Sequence, residues 1–528
     1  MSNKFYITTA INYTNGSPHF GHAYEAVVAD CIARYHRLIG NDVFFLTGTD
    51  EHGQKIADTA ANQNPPLSPL ELCDKYVAEF KNLNNKLNIS YDFYIRTTME
   101  KHELCAQDIW KRCANNDDIY LGQYEGWYNK REERFVTETE AQSTNYMDGT
   151  IPLIKTSEPS YFFRMGKYQD RLIKHIQDHP EFIFPEEKRM EILDRLKEPL
   201  NDLSISRTTF DWGIPVPDSF KGKPDNVIEK HVMYVWFDAL TNYLSGVDYP
   251  LGPILYQWPA DIHLIGKDIA WFHAVIWPCM LFSANISLPK RIVCHGFVNG
   301  PDGRKMSKTY GNVIDPVKLL ETYTSDTIRY FMLREGTFGA DFNCNEAYLQ
   351  DRYNGELANN FGNLVQRGLN LAKSYCDSLV PSEAAVQIFD LKQFAQKINK
   401  AFNNLDIQHA IQMLFDTLTL INKWLTDEAP WNLKGDEFIT KRKIIVRTLL
   451  EALYAICHFT WVVMPSTSEE IFARLNTKMT VTENLLANSF NSLKPETEIT
   501  LGAPLFPRLE KSHTDERNKK VTEKKSKK

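Results

Sequence analysis

Residues 4–11 (KFYITTAI) alternate weakly and are rich in β-formers, which predicts a first strand. The turn-forming TNGSP follows. Residues 21–40 (GHAYEAVVADCIARYHRLIG) then carry apolar positions at helical spacing up to a glycine stop at Gly40. Residues 42–53 (DVFFLTGTDEHG) form a continuous apolar run that ends in polar residues, the pattern of a buried parallel strand. Strand, helix and strand in so short a stretch predict a βαβ unit, and such units bind ligands at the carboxyl ends of their strands. Both NGSPHFGH and GTDEHG fall at such ends.

A second α/β half is expected from about residue 230. VMYVWFDAL (232–240), ADIHLIGKD (260–268) and RIVCHGFVN (291–299) read as strands, and IAWFHAVIWPCMLFSA (269–284) as a helix. A Gly- and Lys-rich loop, GPDGRKMSKTYGN (300–312), comes next. Between the halves, residues 118–230 lose this rhythm, and YEGWYNKREERFVTETEAQ (124–142) predicts hairpins and loops, hence an inserted subdomain. From about residue 346 the periodicity becomes helical, at 357–375, 407–425 and 442–464, which predicts a helical bundle. SLVPSEAA (378–385) is the one obvious linker inside it. The expected fold is α/β: a Rossmann-like parallel-sheet domain split by an insertion, followed by an all-α bundle.

The 528-residue length exceeds one ordinary core, and 43% hydrophobic with 24% charged residues is the profile of a globular chain. The start MSNKFYITTA has no signal-like apolar region, and apolar windows such as ALYAICHFTWVVMP are too short for a membrane span. Nine cysteines at irregular spacing, with no CxxC pair, read as reduced thiols in a cytoplasmic setting. The net charge of −7 means that a polyanion would have to meet a local basic patch. The tail 511–528, with eight Lys or Arg against three acids, is one such patch, and a solvated disordered tail is the plainer account of it.

His19 and His22 bracket Phe20 and Gly21 at the expected helix start. Alone they fit a helix-terminal structural role, a metal or an anion. Zinc would need further ligands at proper spacing, and none lies nearby. Position favours an anion, because helix N-terminal N–H groups and the helix dipole attract negative charge, and Gly21 leaves room for close approach. Lys305 and Lys308 in GRKMSKTYGN are cations in a loop, and taken alone that loop is an ordinary solvated segment.

HFGH and KMSKT, at opposite ends of the split α/β region, together resemble the two signatures of class I aminoacyl-tRNA synthetases. FLTGTDEHGQKI, YVWFDAL, HLIGKDIAWFHAVIWP, LANNFGNLVQR, DEAPWNL and APLFPRLE narrow the resemblance to the methionyl-tRNA synthetase family, in family order over residues 4–510. The resemblance implies activation of methionine by ATP with Mg2+, then transfer to tRNA(Met). It implies catalytic roles for His19, His22, Lys305 and Lys308, with Gly21 and Ser307 also on ATP. It implies a methionine pocket of Ile11, Tyr13, Asp50, Trp236, Ala239, Tyr243, Ile269, Phe272, His273 and Trp277, with Tyr243 or His273 near the sulfur. Asn363, Arg367 and Trp431 would read the anticodon. The implied division is a catalytic domain at 1–117 and 231–300, a connective insertion at 118–230, a KMSKT loop and stem-contact region at 301–345, an anticodon-binding domain at 346–510 and the tail at 511–528. A monomer without membrane association is the expectation.

Departures from the family pattern matter as well. Many members hold zinc through paired cysteines after a YEG segment. Here residues 118–230 contain no cysteine, so no structural zinc is expected. Ala10 and Asn12 stand where the family often has proline and an aromatic, Leu240 replaces a proline, and the second signature ends in Thr309. Two other readings stay open: a noncatalytic tRNA- or amino-acid-binding paralogue, and another nucleotidyltransferase with a His-x-Gly-His site.

Overall fold

The apolar runs at 4–11 and 42–53 are neighbouring strands of one parallel sheet, β1 (Lys4–Tyr13) and β2 (Asp42–Asp50). The computed structural model describes residues 3–129, 134–136, 141–142, 153–224, 229–306 and 312–509. The chain divides into two compact units, residues 1–33 with 41–297, and residues 34–40 with 298–528.

Helix α1 (Phe20–Leu38) follows β1, and its residues up to Ala33 belong to the first unit. After β2 come α2 (Gln54–Ala61) and α3 (Pro69–Lys86). A capping box opens α3: the Ser68 hydroxyl accepts from the Glu71 N–H while Glu71 accepts from the Ser68 N–H, and Pro69 takes the first turn. β3 (Phe93–Arg96) and α4 (Glu100–Asn115) precede a departure from the sheet. There β4 (Ile119–Asn129), β5 (Arg134–Val136) and β6 (Leu153–Phe163) pair antiparallel. β7 (Ile183–Phe184) rejoins the parallel sheet, and β8 (Leu203–Ser204) completes the antiparallel one. β9 (Ser206–Arg207) and β10 (Val232–Met233) form a small ladder, while β11 (Ile262–Gly266) and β12 (Ile292–His295) return to the main sheet.

The main sheet has the order β3-β2-β1-β11-β12-β7, parallel throughout. From β1 the chain progresses one way to β2 and β3, and later the other way through β11 and β12. The strand order therefore reverses between β1 and β11, the place where α/β sheets open a ligand crevice. Two local features shape that edge. A register shift between Thr8 and Ile11 bends β1 just before its carboxyl end. Gly48 in β2 admits β3, since a Cβ there would lie 2.1 Å from the Ile95 carbonyl oxygen.

VMYVWFDAL is not a strand. Only Val232–Met233 is extended, and α5 (Val235–Ala239) follows at once. The run is apolar because the short helix is buried almost all round, which periodicity cannot tell from a buried strand. Residues 269–284 are helical as expected, but not one regular helix. A π turn over Phe272–Ile276 leads into α6 (Trp277–Ala284), where Pro278 has no N–H to keep the ordinary ladder.

The second unit holds the helices α7 (Asn363–Cys376), α8 (Leu391–Asn403), α9 (Ile407–Glu428) and α10 (Ile439–Thr460). Asp390 and Asp406 cap α8 and α9 by accepting from the Gln393 and His409 N–H groups. Residues 353–362, just before α7, are π-helical rather than regular α. A buried ion pair ties α10 to its surroundings. Arg447 donates to the Pro381 and Leu493 carbonyls and meets Glu451 at 2.8 Å, while Glu451 accepts the Ser492 and Leu493 N–H groups. The basic tail 511–528 lies outside the described residues.

Trp110 on α4 joins the inserted sheet to the parallel-sheet core. Its fully buried ring meets Tyr161, Phe220 and Phe237 edge-on at 5.6, 5.8 and 5.3 Å. Trp110→Ala is expected to destabilise the first unit by about 3–5 kcal/mol. Chemical denaturation checks this, and a loss below about 1 kcal/mol would show that Trp110 does not join the two layers.

Candidate active site

The loop after β1 places two imidazoles at the start of α1. The His19 N–H donates to His22 Nδ1 and the Gly21 N–H donates to His19 Nδ1, both at 3.1 Å. An Nδ1 that accepts must be unprotonated, so each neutral ring carries its proton on Nε2. The rings stack at 3.7 Å with 15° between planes. Gly21 suits this arrangement, because a Cβ there would lie 3.0 Å from the His19 ring and crowd it. Burial, with the neighbouring His19 and His295, holds the His22 pKa well below its ordinary value. His22 is therefore a neutral N–H donor at a helix N-terminus, suited to an anion.

Beneath the histidines, Glu25 on α1 accepts the Ala10 N–H of β1 at 3.0 Å and meets His295 Nε2 at 2.9 Å. His295 Nδ1 faces the Gly296 carbonyl at 2.8 Å. With acceptors at both nitrogens the ring is an imidazolium. Burial opposes that charge, yet the Glu25 carboxylate and the Gly296 carbonyl raise the His295 pKa overall.

A second constellation lies across the same edge. Asp50, the buried last residue of β2, is the register partner of Tyr13 at the end of β1. Beyond β11, Phe272 stacks on Trp236 of α5 at 3.7 Å with 8° between planes. His273 Nδ1 donates to the Ile269 carbonyl at 3.0 Å, so its Nε2 accepts the Tyr243 hydroxyl proton at 2.7 Å. Burial lowers the His273 pKa to about 4, so the ring is neutral. The Tyr243 ring also neighbours Trp277 at 6.2 Å and lies against His263 at 4.0 Å. Although the segment is π-helical, His273 and Trp277 both reach Tyr243. A carboxylate beside an aromatic recess can hold an ammonium with an unbranched apolar side chain.

Ile11, Tyr13, Asp50, Trp236, Ala239, Tyr243, Ile269, Phe272, His273 and Trp277 all belong to the first unit with His19, Gly21 and His22. Lys305 belongs to the second unit. It is exposed and bridges Asn299, in a turn braced by Asn312 donating to Asp302 at 2.9 Å. Ser307 and Lys308 lie outside the described residues. In the second unit the Arg367 guanidinium sits 5.3 Å over the ring of Trp431, an exposed side chain, and Asn363 is exposed one turn earlier on α7. Arg367 also donates to Asn422 Oδ1 at 3.2 Å.

Sequence reasoning missed Glu25, His52, His102, Asp238, His295 and Asn422. The polar cluster in DEHG and the lone acid in WFDAL were the available signals for His52 and Asp238.

The family model described as tRNA synthetases class I (M) matches residues 5–157 and 141–369, and an anticodon-binding domain of tRNA ligase matches 388–525. A methionine–tRNA ligase of Rickettsia felis is 40% identical over 97% of this chain and 99% of its own length. The chain belongs to the methionyl-tRNA synthetase family. The family enzyme of Thermotoga maritima is 39% identical over 96% of this chain and 80% of its own length. Methionyl-tRNA synthetase of Mycobacterium tuberculosis, solved in complex with methionyl-adenylate, superposes with a TM-score of 0.87 at 37% identity. That match covers 96% of this chain and all of the other.

The Glu25–His295 pair predicts a pH dependence of stability. The folded His295 pKa is raised, so the pair's contribution is complete below the ordinary histidine value near 6.5 and is lost as pH rises through the raised value. The gap in thermal midpoint between the native chain and His295→Gln is expected to shrink from pH 6 to pH 9. A gap that stays constant or grows would contradict an imidazolium at this position.

Proposed function

We propose that this chain is a methionine–tRNA ligase. It activates L-methionine with ATP to methionyl-adenylate and pyrophosphate, then esterifies the 3′ end of tRNA(Met). The observation that carries the reading is the meeting, at one strand-order reversal, of neutral imidazole donors with a buried carboxylate and an aromatic recess. Phosphate and an ammonium-bearing thioether fit the two halves of that edge.

In this reading Asp50 holds the methionine ammonium, and Trp236, Phe272, Tyr243 and Trp277 enclose the side chain, with Ile11, Tyr13, Ala239 and Ile269 completing the wall. Tyr243 directs its O–H hydrogen bond to His273, so an oxygen lone pair, rather than the O–H, is left to face the sulfur. We assign sulfur contact to Tyr243 and the holding of its ring to His273. A carboxylate oxygen of methionine attacks the α-phosphorus, the bond to the β-phosphate breaks, and pyrophosphate leaves. His19 and His22 donate from Nε2 to phosphate oxygens as charge develops, with the Gly21 backbone close by. Lys305 and Lys308, with Ser307, stabilise the departing pyrophosphate. The terminal ribose hydroxyl of the tRNA then attacks the methionyl carbonyl, and AMP leaves.

Bound together with ATP and held mainly by phosphate oxygens and water, Mg2+ would neutralise charge on the phosphates. Among the described residues no group of three His, Cys, Asp or Glu could hold a metal. The insertion has no cysteine, and we propose that it folds without structural zinc. Catalysis is placed in 1–117 and 231–300, the connective insertion in 118–230, stem contact in 301–345 and anticodon reading in 346–510. Trp431 stacks on a loop base while Arg367 and Asn363 address base edges of the CAU anticodon.

ATP–pyrophosphate exchange across the twenty amino acids is expected to respond to methionine alone. His22→Ala should lower that exchange on the order of 10²- to 10³-fold. Trp431→Ala should weaken tRNA charging by about 1–3 kcal/mol with exchange unchanged. Exchange with another amino acid, or equal loss of both activities in Trp431→Ala, would overturn the assignment.

A further inference from the structure

A fully buried carboxylate, Asp238, sits in α5 between Trp236 and Ala239. His52 Nδ1 approaches its Oδ2 at 2.7 Å, and His102 Nε2 approaches its Oδ1 at 2.7 Å. The outer nitrogen of His102 meets the Ser245 hydroxyl at 2.9 Å. The side chains of Asp238 and His102 are 0% exposed and that of His52 is 10% exposed. Burial would raise the carboxyl pKa, but the two imidazoles more than offset it, so Asp238 lies below its ordinary range and is ionised.

The three side chains come from three places. His52 is two residues beyond Asp50, His102 is on α4, and Asp238 is on α5. The segment carrying Asp50 and His52 is held from below as well. Glu51 receives Arg96, Thr49 and Thr98 at 2.7, 2.7 and 2.6 Å, and its N–H donates to Thr97. Trp212 Nε1 donates to the Glu51 carbonyl at 2.5 Å, and the indole meets the His52 ring edge-on at 5.7 Å.

Helix α5 has five residues and no side-chain N-cap. A helix that short has no stability of its own, so outside contacts set its placement. A buried carboxylate held by two hydrogen bonds is a poor way to gain stability compared with apolar packing, but it fixes geometry, since only one arrangement satisfies both oxygens. We propose that Asp238 is a positioning residue for the amino-acid pocket. Held by His52 and His102, it fixes the helix bearing Trp236 and Ala239 against the segment bearing Asp50. The proposal rests on the methionine pocket assigned above. It goes beyond that assignment in placing the determinant of pocket width in a group that touches no substrate.

The test is methionine-dependent ATP–pyrophosphate exchange with native chain, Asp238→Asn, His52→Ala and His52→Asn. Asp238→Asn keeps the shape but sets an amide N–H against one imidazole. It is expected to raise the KM for methionine about 10- to 100-fold, with the KM for ATP within about 2-fold. His52→Ala should move the same constant in the same direction. His52→Asn, whose amide can replace the Nδ1 donor, should recover most of that loss. If Asp238→Asn does not fold, the two His52 variants decide. Parallel increases in both KM values, or equal constants for His52→Ala and His52→Asn, would overturn the proposal. A native chain without methionine-dependent exchange would overturn the pocket assignment itself.

Discussion

The parallel sheet, with its reversal of strand order between β1 and β11, is the constraint on which the rest depends. Parallel pairing aligns the carboxyl ends of all six strands on one edge. The β1 end delivers Tyr13 and then the histidine-bearing start of α1. The β2 end delivers Asp50, and β11 leads into Ile269, Phe272 and His273. Residues far apart in sequence meet because three neighbouring strands finish together. The bulge in β1 then sets the direction in which that strand leaves the sheet.

On this edge, electrostatics is arranged by hydrogen bonding more than by net charge. Backbone N–H groups occupy Nδ1 of His19 and of His22 and thereby select the Nε2 proton. The Ile269 carbonyl occupies Nδ1 of His273 and makes its Nε2 the acceptor for Tyr243. Glu25 and the Gly296 carbonyl do the reverse for His295 and keep it charged. Three environments therefore give one residue type three states: a neutral ring with its proton on Nε2, an acceptor for a phenol, and an internal cation. The common device is what faces the ring nitrogens.

Much of this was legible in the chain. The strands β1, β2, β11 and β12 and the helix α1 lie where the local patterns predict them, weak as the alternation of β1 is, and HFGH does follow a strand. Of the bundle helices, α7, α9 and α10 fall on the predicted periodic stretches, while α8 (Leu391–Asn403) was not predicted. Three things were not legible, each for a physical reason. Helix α5 reads as a strand because it is too short and too buried for its period to show. The π turn at Phe272–Ile276 leaves the apolar pattern intact while changing which residues face each other. The clamp on Asp238 joins residues 186 and 136 positions apart, and no local pattern reports such pairs.

The central claim is that the signature histidines act as neutral donors through Nε2 rather than as metal ligands or proton-transfer groups. Histidine-selective 15N spectra of the native chain, assigned with His22→Asn, test it most directly. The account predicts that His22 is the neutral Nε2–H tautomer at pH 7 and does not titrate down to pH 6. A proton on Nδ1, or a titration near the ordinary histidine value of about 6.5, would contradict it.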